Sequence, residues 1–204
     1  MRLAWFGQGV LRECLLEPDV EAIQSIGRRR VRLPVPAPSS KFDDGVHENR
    51  FDLQPIESDL SGFDACFFCL GTSSVGISAA EYERLTFDLT LTIAKTLVRL
   101  NSAMTFAYVS GMERTARNVG GQDGPRVKGK TENALLALPF KAAYMFRPGI
   151  ILSLHGANSK TRLYRLLYAA GRPLWPVLRR LFPNSVLTTE EVGLAMLRCA
   201  RHFS

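Results

Sequence analysis

The sequence predicts an α/β domain built on a parallel β-sheet. Two apolar runs, 105–111 and 142–151, are rich in aromatic and β-branched residues and are interrupted by glycine or proline, as buried strands are. The segment between them repeats small and apolar residues at the spacing of one helical face, at Val127, Thr131, Ala134 and Leu138. A strand, a helix and a second strand form a βαβ unit, whose strands are parallel. With 204 residues the chain is long enough for one domain with a substantial core.

The elements before this unit are predicted in order. Residues 7–16 predict a glycine turn that opens a helix, and Glu17-Pro18-Asp19 ends it because proline cannot continue a helix. Residues 20–26 predict a strand. Residues 31–46 carry three prolines and predict a loop, after which a strand resumes at residues 51–53.

The remaining elements complete the pattern. Residues 64–70 predict a buried strand, and residues 79–100 predict one long helix with two apolar stripes. Cys66 and Cys69 lie three positions apart in that strand, so they point to opposite faces, which favours packing over a zinc or disulfide pair. No metal site is predicted. A capping box at 188–191 starts a final helix.

The net charge of +7 indicates an anionic partner, whether a phosphorylated cofactor, a membrane surface or nucleic acid. The basic residues do not interleave with aromatics in a nucleic-acid-binding motif, which argues against nucleic acid. No apolar run reaches the roughly 20 residues needed to span a bilayer, and the start lacks the order of a signal peptide. We therefore expect a cytoplasmic protein.

A candidate reactive pair stands in the central βαβ unit. Ser110 follows the predicted strand directly, and Lys128 lies near the start of the next helix. Chemistry in parallel sheets collects where strands end at their carboxyl side, so this hydroxyl and this ammonium can meet in one crevice. The same residues also fit a plain turn and a solvated helix charge.

The motifs of this unit resemble a known superfamily. Val-Ser-Gly, then Val-Lys-Gly-Lys-Thr-Glu-Asn-Ala-Leu and Phe-Arg-Pro-Gly, are similar to the short-chain dehydrogenase/reductases. Within them the chain resembles the atypical, NAD-dependent epimerase/dehydratase-like branch that includes the oxidoreductase-like Tat-interacting protein. The resemblance implies a Rossmann-like, doubly wound parallel sheet and a bound NADP or NAD. It also implies hydride transfer by a Ser, a Tyr and a Lys.

The resemblance assigns roles to individual residues. Ser110 would polarise the substrate oxygen, and Lys128 would hold the nicotinamide ribose. The tyrosine belongs four residues before the lysine, where this chain has Gly124. Glycine cannot donate a proton from a side chain, so a water or another residue would have to supply it.

The resemblance also implies a set of cofactor-binding residues. Gly7 matches the last glycine of the Gly-x-x-Gly-x-x-Gly turn. The earlier glycines and most of the first strand are missing, which predicts a chain cut short at its N-terminus, with low stability and weak cofactor affinity. Arg28 and Arg29 stand where arginines accept the 2′-phosphate of NADP, and a solvated basic turn is the alternative.

Further implied contacts lie along the same cofactor. Asp59 and Leu60 resemble the Asp-Leu pair that flanks the adenine, although a turn aspartate fits equally well. Gly71 and Thr72 are small residues after a strand, where a cofactor can lie against the backbone. Pro148, in Phe-Arg-Pro-Gly, belongs to the implied cofactor site.

The resemblance predicts a division of the chain and a function. Residues 1–150 are expected to form the NAD(P)-binding core, and residues 151–204 a C-terminal substrate-side segment with a closing helix. After residue 151, basic residues alternate with leucine and tryptophan, which suits a cover over the substrate, a membrane contact or a protein-partner surface. The predicted function is an NAD(P)-binding oxidoreductase acting on a small carbonyl or sugar-like substrate. The alternative is a non-catalytic nucleotide sensor or a protein- or membrane-binding scaffold.

Overall fold

The computed structural model describes residues 5–36, 38, 40–72, 76–110, 123–152 and 186–201. Its first half contains α1 (Trp5–Leu16), β1 (Ile23–Gly27), β2 (Phe42–Val46), a 3-10 helix (Gln54–Leu60) and β3 (Ala65–Phe68). A helix follows as α2 (Ala79–Glu83), a π-helical segment (Arg84–Asp88) and α3 (Leu89–Leu100). Then come β4 (Thr105–Val109), α4 (Asp123–Leu136), β5 (Ala142–Phe146), β6 (Ile150–Leu152), β7 (Val186–Thr188) and α5 (Thr189–Arg201).

The centre of the fold is a parallel three-stranded sheet in the order β3-β4-β5. All five residues of β4 are buried, because strands flank it on both sides and helices cover both of its faces. Its side chains alternate between two cores. Phe106 and Tyr108 join one cluster, whereas Ala107 and Val109 join the other.

Helices cover the two faces of this sheet. On the first face, Ala94 and Leu97 of α3 and Leu135 of α4 pack around Phe106. On the second face, α1 and α5 pack together over Ala107 and Val109. Helices on both faces of a parallel sheet make a Rossmann-like α/β fold, so the predicted fold class is confirmed.

Helices α1 and α5 approach each other at glycines. A Cβ atom at Gly9 would lie 2.5 Å from the Thr189 carbonyl oxygen, and one at Gly193 would lie 2.8 Å from the Glu13 Cγ. The prediction that Gly7 and Gly9 form a turn before the helix was therefore wrong. Both residues are buried within α1, where Gly9 serves close helix packing.

The start of α5 has the predicted capping box. The Glu191 backbone N–H donates to the Thr188 hydroxyl over 3.1 Å, and the Thr188 backbone N–H donates to the Glu191 carboxylate over 2.7 Å. Two backbone donors at the helix start are thereby satisfied. Val192 and Met196 then face the second core, as the spacing predicted.

The second strand of the β1-β2 pair lies where a loop was predicted. β2 pairs in parallel with β1 from Ile23↔Phe42 to Gly27↔Val46, whereas residues 51–53 belong to no strand. The strand was not predicted from its sequence, Phe-Asp-Asp-Gly-Val, because aspartate and glycine are depleted in strands. Gly45 suits the pairing, since a Cβ there would lie 2.7 Å from the Ile26 Cδ1.

The two cysteines of the CxxC lie on opposite faces of the sheet. Cys66 packs against the first core and Cys69 belongs to the second. Burial raises the pKa of the Cys66 thiol to about 12 and also raises the pKa of Cys69. Thiols in this environment stay protonated and behave as packing residues.

None of the helices in the described ranges is both long and apolar enough to cross a bilayer.

Candidate functional site

The carboxyl-terminal edge of the central sheet borders a cavity of about 60 Å³. Gly71 and Thr72, which follow β3, line it together with Ser110, which follows β4. Lys128 reaches the same cavity from α4. The structure thus brings four of the residues singled out in the sequence to one place, as expected for the carboxyl ends of parallel strands.

Ser110 is fixed by the sheet itself. Its backbone N–H donates to the Phe146 carbonyl oxygen over 3.0 Å, which continues the β4-β5 pairing by one residue. The residue is only 9% exposed. Tyr108 and Val109, the last two residues of β4, line the same cavity.

Lys128 stands one helical turn before a buried carboxylate, that of Glu132. The Arg147 Nε donates to Glu132 Oε1 over 3.0 Å, and a second Arg147 nitrogen pairs with Oε2. The hydrogen bond with Arg147 is the main cause of the lowered pKa of Glu132. Hydrogen bonding from the Ser110 hydroxyl and the charges of Arg147 and Lys128 also lower this pKa, against the opposing effect of burial.

Two tyrosines line the cavity, and neither was predicted there. Tyr82 and Tyr108 are each 3% exposed. Burial is the main cause of the raised pKa of Tyr108, and the negative charges of the neighbouring Tyr82 and Glu132, when ionised, raise it further. A phenol with a raised pKa is a poorer proton donor than the lysine-activated tyrosine that the family resemblance implies at residue 124, where Gly124 is buried in the first turn of α4.

The other wall of the cavity comes from the helix at 79–100. Leu85, Thr86 and Thr90 line it, at the π-helical segment Arg84–Asp88 and just after it. A continuous helix was predicted here, but not this π turn. Single π turns are frequent at functional sites, where they re-aim side chains without breaking the helix.

Arg28 and Arg29 follow β1 at its carboxyl end and are exposed. Burial is the main cause of the lowered pKa of Arg50, and the positive charge of Arg28 lowers it further. Next to it, the Arg84 guanidinium lies 4.8 Å from the centre of the Phe51 ring. A group of cations therefore lies after the β1-β2 pair, although none of them lines the cavity.

Asp59 and Leu60 lie at the opposite edge of the sheet. Leu60 packs into the first core, and its carbonyl oxygen accepts from the Asn101 side chain over 2.9 Å. Asn101 stands just before β4, at its amino-terminal end. The 3-10 helix is thus held on the side away from Ser110, and the adenine contact of Asp59 and Leu60 stays a prediction.

The remaining predicted residues are spread around the site. Pro148 is buried just beyond β5, on the cavity's edge of the sheet, but does not line the cavity. Gly7 lies within α1 and does not line it either. The basic stretch predicted to cover the substrate falls at 153–185, outside the described residues.

Sequence reasoning missed several cavity residues for one reason. Tyr82, Thr86 and Thr90 repeat every four positions on the helix at 79–100, and Tyr82 belonged to an apolar stripe that predicted only core packing. The position of Glu132, one helical turn after Lys128, could have indicated that its side chain lies near the same site. The burial of this carboxylate could not be predicted from the sequence, because it depends on the contact with Arg147.

Comparison with solved structures finds a likeness of fold. No family model matches the sequence. The structure is similar to that of the PhqB reductase domain from Penicillium fellutanum, with a TM-score of 0.59 at 14% sequence identity. The match covers 98% of this chain and 62% of that chain, so this chain spans less than two thirds of that domain. The two proteins therefore share a Rossmann-like α/β fold.

Proposed function

We propose that this protein is an NAD(P)-binding, oxidoreductase-like protein of the short-chain dehydrogenase/reductase type, from its atypical, epimerase-like branch. The observation that carries the proposal is the meeting of Ser110, Lys128, Gly71 and Thr72 around one cavity at the carboxyl edge of the sheet. Ligands of open α/β sheets bind at this edge. The likeness to a reductase domain supports the same class of function.

The residues present fit a dinucleotide. Gly71 is exposed, and among the described residues no atom lies within 4 Å of where its Cβ would be, so a cofactor can approach the backbone there. Lys128 would hold the nicotinamide ribose, and Pro148 would border the nicotinamide end. When bound, the cofactor supplies or accepts the hydride, while Ser110 contacts the substrate oxygen. The substrate class is a small carbonyl, alcohol or sugar-like compound.

The cations after the β1-β2 pair favour NADP over NAD. Arg28 and Arg29 would accept the 2′-phosphate, and Arg50 adds a neighbouring positive charge. Arginine is well suited to phosphate because its guanidinium donates in a planar fork.

A fluorescence titration of the purified protein with NADPH tests the binding function. We expect saturable binding, weakened in Lys128→Ala and unchanged in Lys95→Ala, which removes an exposed lysine of α3. Equal affinity in both variants would contradict the role of Lys128, and no binding by the wild type would contradict the proposed function.

A turnover assay on a panel of carbonyl compounds separates enzyme from sensor. The buried Gly124 favours a non-catalytic nucleotide sensor as the second candidate, because the tyrosine position lacks a proton donor. Consumption of NADPH with any panel compound supports the enzyme, and saturable binding without turnover supports the sensor.

A further inference from the structure

The loop that follows β1 is tied to β2 at both of its ends. At the first end, the His47 backbone N–H donates to the Gly27 carbonyl oxygen over 2.8 Å. At the second end, the Val31 backbone N–H donates to the Asp44 Oδ2 over 2.6 Å. Between these two hydrogen bonds lie residues 28–30, which are three consecutive exposed arginines. We call these three residues the arginine loop.

The charges of the arginine loop are open to a ligand. In the described part of the chain, no carboxylate pairs with Arg28, Arg29 or Arg30. The Asp44 carboxylate is near in sequence to their anchor but does not neutralise them. Its Oδ2 binds a backbone N–H, and its Oδ1 is buried without a hydrogen-bond partner among the described residues. Three positive charges on a loop with fixed ends are suited to an anion.

Asp44 is an unfavourable residue for its place in β2. Aspartate is depleted in strands, and a buried carboxylate oxygen without a hydrogen bond costs stability. Residues that break such local rules are expected at functional sites, where another advantage offsets the cost. The hydrogen bond that Asp44 does make, to Val31, closes the arginine loop.

We propose that Asp44 is a positioning residue that holds the arginine loop in the shape that binds a phosphate monoester. Phosphate is the ligand chemistry because guanidinium groups donate to its oxygens in a planar, two-pronged arrangement. This inference rests on the proposed function in taking Arg28 and Arg29 as the phosphate contacts. It adds the residue that fixes them.

The direction of the effect of a substitution at Asp44 separates positioning from charge. A carboxylate beside the loop repels an anion, so its removal should strengthen phosphate binding if charge alone matters. Loss of the hydrogen bond to Val31 instead releases one end of the loop, which must then be ordered when the ligand binds. Weaker binding by Asp44→Ala therefore indicates positioning, against the effect of charge.

A titration with inorganic phosphate, followed by NMR of the arginine side-chain N–H groups, tests the proposal without cofactor. We expect saturable shifts at Arg28 and Arg29 in the wild type. Asp44→Ala should weaken phosphate binding by about 2- to 10-fold, the worth of one hydrogen bond. Asp44→Asn, whose amide oxygen can accept from Val31, should bind at least as well as the wild type. Asp43→Ala is the matched control, because it removes an exposed neighbouring carboxylate, and it should not weaken binding.

Val31→Pro reaches the same hydrogen bond from its other partner and leaves β2 unchanged. Proline has no backbone N–H, so this variant should lose phosphate affinity as Asp44→Ala does. Phosphate affinity equal to or above that of the wild type in either variant would overturn the proposal. No saturable shift at Arg28 and Arg29 in the wild type would overturn it too. Binding of phosphate without binding of NADPH would contradict only the proposed function.

Discussion

Arg147 and Glu132 form an ion pair with one buried and one open partner. The Glu132 side chain is 6% exposed, whereas that of Arg147 is 65% exposed. Through this pair the end of β5 is tied to the middle of α4, the helix that also carries Lys128. The pair therefore holds α4 against the end of β5.

This pair predicts a specific dependence of stability on pH. The pKa of Glu132 is lowered in the folded state from 4.5, so its contribution is fully present above about pH 4.5 and is lost as the pH falls through the folded-state value. Urea unfolding should show wild type more stable than Glu132→Gln at pH 7, with a gap that narrows below pH 4.5. A gap that stays constant from pH 7 to pH 3 would contradict the pairing.

The approach of α1 to α5 predicts opposite effects of two glycine substitutions. Gly9→Ala puts a Cβ 2.5 Å from the Thr189 carbonyl oxygen, so the helices must separate, at a cost of about 1–3 kcal/mol. Gly129→Ala in α4 meets no atom of the described part of the chain within 4 Å and should stabilise by about 0.5–1 kcal/mol through helix propensity. Denaturant unfolding measures both. Stabilisation by Gly9→Ala would refute the close packing.

The hydrogen bonds of Asn101 predict a large loss of stability when its side chain is truncated. Its side chain accepts from the backbone N–H groups of Gly62 and Phe63 and donates to the carbonyls of Leu60 and Leu97. Asn101→Ala leaves these groups without partners and should lower the free energy of unfolding by about 2–3 kcal/mol. Thermal and denaturant unfolding provide the measurement, with Asn133→Ala, an exposed site on α4, as the control. Equal effects of the two variants would argue against this network.

The cations after β1 predict cofactor preference. Arg28→Ala should weaken NADPH binding by about 10-fold or more, the worth of one charge-assisted hydrogen bond, and leave NADH binding nearly unchanged. Arg32→Ala, which removes another exposed arginine of the same loop, serves as the control. Competition binding gives the ratio of the two affinities. A parallel loss for NADPH and NADH would show that Arg28 does not contact the 2′-phosphate.

The fold was predictable where the apolar pattern and the local structure agree. The strand at 105–109 is fully buried, and a continuous apolar run identifies such a strand without reference to its neighbours. The strand at 42–46 was not predictable in this way. Its Asp44 is disfavoured in a strand by propensity. In the folded chain one of its carboxylate oxygens accepts a hydrogen bond from the Val31 backbone N–H over 2.6 Å, thirteen residues away.

The cavity was predictable in part for a similar reason. Ser110, Gly71 and Thr72 follow strands, and parallel topology alone brings such residues together. The burial and ionisation of Glu132 depend on Arg147, fifteen residues away, and the place of Leu60 at the amino-terminal edge of the sheet depends on Asn101. Contacts between distant residues leave no mark in a local pattern.

Amide NMR of the protein during addition of NADPH tests the central claim most directly, because it locates the cofactor on the sheet. We expect the largest shifts at Gly71, Thr72 and Ser110, at the carboxyl-terminal edge. Saturable shifts confined to Gly62 and Asn101, at the amino-terminal edge, or no shifts at any of these amides, would contradict the account.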